Sequence, residues 1–275
     1  MRPIVFLTDY GLADEFVGVC HAVIARIAPG AQVIDLTHAV ARHDVLQGAV
    51  TLGRSVRFAP EDSVFLGVVD PGVGSERRPV AVEAASGAVL VGPDNGLLSM
   101  AWDALGGAAR AVVITSKEVV LHPVSRTFHG RDVFAPAAAH LSAGMPLERL
   151  GPEVEIDSLR RVDLARPMVT PGAIGARVVA VDGFGNVQLN VTPDDLVAAG
   201  LTGPLATGRW RIPRAATFAD VPAGAPAAIV DSQGFVALVV NHGSAAKLLG
   251  LEPGATLTLT RAIDPSPPPE ARESG

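Results

Sequence analysis

The chain has 275 residues, 48% of them hydrophobic, enough for a packed core in one or two domains. Its 28 acidic against 22 basic residues leave a formal net charge of -6, which argues against a nucleic-acid backbone as partner. The lone cysteine, Cys20, excludes an intrachain disulfide.

Taken in chain order, the start MRPIVFLTDYG lacks the apolar core and small-residue cleavage site of a secretory signal, so a cytoplasmic protein is expected. No apolar window approaches the ~20 residues that span a bilayer, so neither a membrane span nor a membrane partner is expected. Short apolar runs at 4–8 (IVFLT), 32–36 (QVIDL), 63–69 (SVFLGVV), 88–92 (AVLVG) and 111–115 (AVVIT) read as strands. Helices are expected from Asp14 to Ala28, from Asp44 to Arg57 and from Asp132 to Ser142, the first two opening on an aspartate suited to an N-terminus. This alternation predicts an α/β fold, and the unbroken apolar strands predict a central sheet covered on both faces.

Between 151 and 172 the texture turns polar, proline-bearing and aperiodic, which reads as a connection. Beyond it, GARVVAVD, NVQLNV, AAIVDS, FVALVV and ATLTLT are strand-like, with SAAKLLG the one clear helix. The expected organisation is an N-terminal α/β domain over 1–160, a smaller, mostly β, barrel-like domain over 170–263 and a Pro-rich disordered tail over 264–275.

Five acids follow or close apolar runs: Asp9, Asp35, Asp70, Asp94 and Asp182. The carboxyl ends of strands in an open α/β sheet line its ligand crevice, so their recurrence points to one pocket. Asp before Gly is equally ordinary turn chemistry. No stretch matches a P-loop or a G-x-G-x-x-G dinucleotide turn, and carboxylates repel phosphate, so the ligand expected is a nucleoside diol or an ammonium-bearing zwitterion. TFHGRD sets His129 and Arg131 at the mouth of an Ala-rich helix, where an imidazole could hold a proton or simply hydrogen-bond a turn. The seven histidines are scattered without His-x-x-x-His or Glu-x-x-His spacing, so no metal site is expected, and the absence of G-x-S-x-G argues against a serine hydrolase.

The ordered set TDYG-x-x-D-x-F-V-G, DLTH, VVDPGVG-x-x-RR, GPDNGLL, TFHGRD-x-FAP, VD-x-FGN-x-x-x-N and DS-x-G…N-x-GSAA, spread over residues 3 to 260, resembles the S-adenosyl-L-methionine (SAM) hydroxide adenosyltransferases, relatives of the fluorinase and chlorinase. The resemblance implies attack of water on ribose C5' of SAM, releasing adenosine and methionine with no cofactor, in a homotrimer whose sites lie between subunits. It implies a hydrolytic set of Asp70, Arg77 and His129. It further implies Asp9 on the ribose diol, Asp14 and Asp182 near the methionine ammonium, Ser232 near the amino-acid end, and Phe184 and Asn186 against the adenine or amino-acid moiety, with Asn95 and Phe128 shaping the pocket. Arg77 is expected to lower the pKa of Asp70. Which group, if any, is the general base stays open, since a guanidinium stabilises hydroxide without accepting its proton.

Two alternatives remain in view. A 5'-halogenase of the same fold would bind a halide, yet where halogenases carry Tyr this chain has Asp70, whose charge repels a halide. A non-catalytic SAM sensor is the other. Halogenases also carry an Arg where this chain has Gln233, which weakens carboxylate recognition.

Overall fold

Alternation along one strand organises the first part of the molecule. In β1 (Ile4–Thr8) Ile4 and Phe6 join one apolar cluster and Val5 and Leu7 another, because successive side chains leave opposite faces of a sheet. The computed structural model describes residues 1–262, and the tail expected over 264–275 lies outside the described residues. The chain divides into two compact units, one spanning Met1–Asp163 and one running from Leu164 onward.

In the first unit β1 is followed by α1 (Phe16–Ile27), β2 (Val33–Thr37), α2 (Val45–Ser55), β3 (Val64–Val68), β4 (Pro79–Ala84), β5 (Val89–Pro93), α3 (Ser99–Ala104), β6 (Ala108–Val113) and α4 (Ala135–Ser142). The six strands lie in the order β2-β1-β3-β5-β4-β6, parallel as far as β5 and antiparallel beyond. Helices α1 and α4 bury Cys20, Ile24 and Ala138 against one face, while α2 and α3 bury Leu52 and Trp102 against the other. Each fully buried Leu, Ile or Phe in such a core contributes about 1.5–3 kcal/mol.

One expectation changes here, one holds and one strand is new. Asp14 does not cap α1: the helix opens at Phe16, and Glu15 in the cap position makes no side-chain bond to it. Asp44 does cap α2, accepting from the Gln47 N–H at 2.9 Å. β4 was absent from the sequence reading because its run, PVAVEA, opens on Pro79 and carries Glu83, yet it pairs on both sides within the sheet.

The second unit contains β7 (Met168–Thr170), β8 (Ala173–Val181), β9 (Val187–Leu189), α5 (Pro193–Ala198), β10 (Leu205–Thr207), β11 (Trp210–Ile212), β12 (Pro226–Val230), β13 (Val236–Val240), α6 (Ala245–Leu249) and β14 (Thr256–Arg261). Its eight-stranded sheet runs β11-β10-β14-β8-β9-β13-β12, with β7 beside β8. A bridge between Arg214, just past β11, and Ala228 on β12 joins the two ends and nearly closes the sheet as a barrel. Helix α5 escaped the sequence reading although its signal is present: Thr192 and Asp195 form a reciprocal capping box.

Candidate active site

Asp70 stands two residues beyond β3, at the carboxyl edge of the middle of the sheet. The strand end is fixed by Asn95, whose Nδ2 donates to the Val69 carbonyl at 2.8 Å while its Oδ1 accepts from the Leu97 N–H. The following turn closes through Ser75 Oγ donating to the Gly72 carbonyl at 2.6 Å. Gly74 has φ +77°, and a Cβ there would sit 2.4 Å from the Arg126 carbonyl oxygen, so this position admits glycine alone. That tight reversal returns the chain to Asp70 and brings Arg77 beside it.

The returning Arg77 forks onto Asp70, Nε to Oδ1 at 3.1 Å and Nη2 to Oδ2 at 2.5 Å, and both side chains are only 6% exposed. The same Nη2 donates to His129 Nδ1 at 3.0 Å, while Nη1 is buried without a hydrogen-bond partner among the described residues. Arg78, its neighbour, serves the fold instead, pairing with buried Asp94, which also accepts from the Arg160 N–H. His129 is presented by a single π-helical turn, Gly130–Phe134, that leads into α4. Gly130 lets that turn pass Tyr10, whose hydroxyl would lie 2.0 Å from any Cβ at this position.

Burial dominates the electrostatics. Desolvation lifts the Asp70 carboxyl above its ordinary value, and the charge and hydrogen bonds of Arg77 offset this only in part. The expectation that Arg77 would hold Asp70 low is thereby corrected: the partner is present, but the loss of water outweighs it. His129 is pushed below its ordinary value, first by burial and then by the Arg77 charge, with Asp70 and Asp132 acting in the opposite sense. A neutral imidazole that accepts at Nδ1 carries its proton on Nε2. His129 is therefore a donor at Nε2, and Asp70 is the acceptor of the set.

Asp70 and His129 face a cavity of about 660 Å³ that Asp9, Asp14, Tyr10, Phe16 and Phe128 also line. This lies within the ordinary range for small-molecule sites, about 300–1,000 Å³. Tyr10, Phe16 and Phe128 meet edge to face with centroids 5.2–5.9 Å apart, forming an aromatic wall. Burial raises the Tyr10 phenol well above its usual range, so it remains a protonated donor. Asp9 Oδ2 accepts from the His43 N–H at 2.9 Å, which pins His43 in the left-handed region at φ +66°. Sequence reasoning missed Tyr10 and Phe16 although both sit inside TDYG-x-x-D-x-F, and it had no signal for Arg42 and His43, which come from the loop after β2.

Of the five recurrent acids, Asp9 and Asp70 share this cavity and the other three are employed elsewhere. Asp94 is held by Arg78. Asp35 lies within β2, where it meets His21 and His38, so the histidines are less scattered than their spacing implies. Asp182, in the second unit, folds its own turn, accepting from the N–H groups of Phe184 and Asn186 and from Asn186 Nδ2. Phe184 at the tip is 83% exposed, and Ser232 sits exposed in the turn after β12. Neighbouring Asp231 organises that turn by accepting from the N–H groups of Gln233 and Phe235.

Comparison with known proteins converges on one group. The SAM hydroxide adenosyltransferase N-terminal domain matches residues 4–151 and the C-terminal domain of the same name matches 176–258. A protein of Salinispora tropica named (R)-S-adenosyl-L-methionine hydrolase is 49% identical over 93% of this chain and 96% of its own length. A fluorinase of Actinoplanes sp. is 30% identical over 95% of this chain and 98% of its own length. A crystal structure of an uncharacterized conserved protein from Thermotoga maritima superposes with a TM-score of 0.86, at 36% identity, covering 94% of this chain and all of the other.

Proposed function

Because the chain belongs to the SAM hydroxide adenosyltransferase family, we propose that it hydrolyses S-adenosyl-L-methionine to adenosine and L-methionine. The observation that carries this reading is the partly buried Asp70–Arg77–His129 set at the wall of an acid-rich, aromatic cavity. A sulfonium with an ammonium group matches the carboxylates, and a ribose diol matches a hydrogen-bond acceptor such as Asp9.

In this reading a water sits between Asp70, which accepts one of its protons, and His129 Nε2–H, which donates to its oxygen. The water oxygen forms the new bond to C5' as the C5'–S bond breaks, and that electron pair leaves on sulfur as neutral methionine thioether. The surplus proton passes to Asp70, whose raised pKa makes it a better base than a free aspartate, and then to solvent. Arg77 holds Asp70 and His129 in register through its hydrogen bonds to both. The step draws on no cofactor, because a sulfonium leaves without assistance and positioning supplies most of the acceleration.

The second-unit residues Asp182, Phe184, Asn186 and Ser232 are assigned to the substrate, and the active assembly to a homotrimer with shared sites. The exposure of Phe184 supports this, since a large aromatic left at 83% exposure fits a surface that a neighbour covers. Among the described residues no helix is long and apolar enough to cross a membrane. We place the protein in the cytoplasm, where SAM is made and where its buried free thiol, Cys20, is at home. Light scattering on the purified protein tests the assembly: a trimer is expected, and a fully active monomer overturns it.

The activity itself is tested by incubating the protein with SAM, with and without chloride or fluoride, and separating products by chromatography. Adenosine and methionine in equal amounts, unaffected by halide, are expected. A 5'-halo-adenosine would reassign the protein as a halogenase, and tight binding without turnover would make it a sensor.

A further inference from the structure

We propose that His21, Asp35 and His38 form a binding site for one divalent transition-metal ion of the zinc class, separate from the Asp70 cavity, which none of the three lines. His21 projects from α1, Asp35 lies within the edge strand β2 and His38 follows that strand by one residue. Their ligand atoms all lie within 4.8 Å of one another. Donors sharing one zinc ion at ~2.0–2.2 Å lie about 3–4 Å apart, so a small movement of the partly exposed His21 or Asp35 completes the set.

His38 carries the argument. Its side chain is 3% exposed, and its Nδ1 is engaged by Thr8 Oγ1 at 2.9 Å. Phe6 packs edge-on against the ring with centroids 4.8 Å apart. The ring is thus locked with Nε2 facing Asp35 and His21, the arrangement by which a metal-binding imidazole is oriented through its other nitrogen. That Nε2 is 3.1 Å from Asp35 Oδ1 but outside hydrogen-bond geometry, and it has no hydrogen-bond partner. His21 Nε2 already donates to the same Oδ1 at 2.8 Å. A buried nitrogen without a hydrogen-bond partner, set against a carboxylate oxygen, is a donor pair that a shared cation would satisfy, since buried polar groups are seldom left unpaired.

Two imidazoles and one carboxylate suit zinc, cobalt, nickel or iron(II), whereas magnesium and calcium prefer all-oxygen sites. His21 and Asp35 are 34% and 44% exposed at the side chain, which leaves the remaining coordination positions to water. A bound ion would clamp α1 to the sheet edge and to the segment that continues to Arg42 and His43 in the cavity wall. Its role is therefore positional, distinct from the hydrolytic step.

The test uses the full chain without an affinity tag, stripped with chelator, and titrated calorimetrically with zinc, cobalt or magnesium chloride. Uptake of one equivalent of zinc or cobalt is expected, with a melting temperature that rises with either metal, and no response to magnesium. His21→Ala and Asp35→Asn should each weaken uptake at least tenfold while matching the wild-type melting temperature in chelator, since both side chains reach the surface. Absence of stoichiometric uptake, or uptake that both variants leave unchanged, would overturn the site.

Discussion

Asp70 and Asp182 look alike in sequence, each an acid after an apolar run and before a glycine-bearing turn, and the structure separates them completely. Asp70 is buried, shares its charge with Arg77 and has its pKa lifted by lost hydration. Asp182 is exposed and spends both oxygens on its own turn. The same signature thus produces a desolvated, Arg-paired carboxylate in a cavity wall in one unit and a turn-forming one in the other. What differs is burial and the origin of the hydrogen-bond donor, a side chain returning from seven residues on in the first case and local N–H groups in the second.

The strongest way to break this contrast is to remove the Asp70 charge. Asp70→Asn is expected to lower kcat by about 10²–10⁴-fold, the range for losing an acceptor in proton transfer, with SAM binding retained. Steady-state kinetics with calorimetric binding would check it, and an equal loss in affinity would point to a binding role instead. Arg77→Met comes next: it leaves a buried carboxylate unpaired, which costs about 3–5 kcal/mol of stability by denaturant titration, alongside loss of activity. An activity loss without destabilisation would show that the pair is not buried in solution.

The pH profile sharpens the contrast further. Asp70 has a raised pKa, so on acidification it is protonated at a higher pH than a free aspartate, and the acid limb of kcat/KM is displaced upward from the usual carboxylate range. His129 has a lowered pKa, so it is neutral at pH 7 and takes up its proton at a lower pH than a free histidine. His129→Gln is accordingly expected to lose rate while keeping the same acid limb; a limb that vanishes in this variant would belong to the imidazole. The smallest effect on stability falls at Asp182. Asp182→Asn keeps one oxygen for the turn, and thermal unfolding should change by about 0.5 kcal/mol or less, the scale of surface substitutions.

Much of this was legible in the sequence because it is written in short strings. The strand runs indicated the sheet and Arg77 lies seven residues from Asp70, whereas His129, 52 residues from Arg77, was tied to the pair only through the resemblance of TFHGRD and DPGVG-x-x-RR to a known family. The direction of the Asp70 pKa was misread because a string displays a charged neighbour but not the water that folding removes. β4 was hidden by Pro79 and Glu83, which weaken an apolar pattern that neighbouring strands then complete with backbone hydrogen bonds. The meeting of His21, Asp35 and His38 was invisible for a different reason: two of its three members come from a strand and its exit, the third from the preceding helix, and no fixed spacing encodes their approach.

The central claim is that water held at Asp70 attacks ribose C5'. Turnover of SAM in oxygen-18 water, followed by mass analysis of both products, tests it most directly. The heavy oxygen is predicted in the 5'-hydroxyl of adenosine and absent from methionine, with the label lost together with turnover in Asp70→Asn. Unlabelled adenosine would mean that the new oxygen came from a source other than water, and heavy oxygen in an amino-acid fragment would place the attack on a methionine carbon; either result contradicts the account.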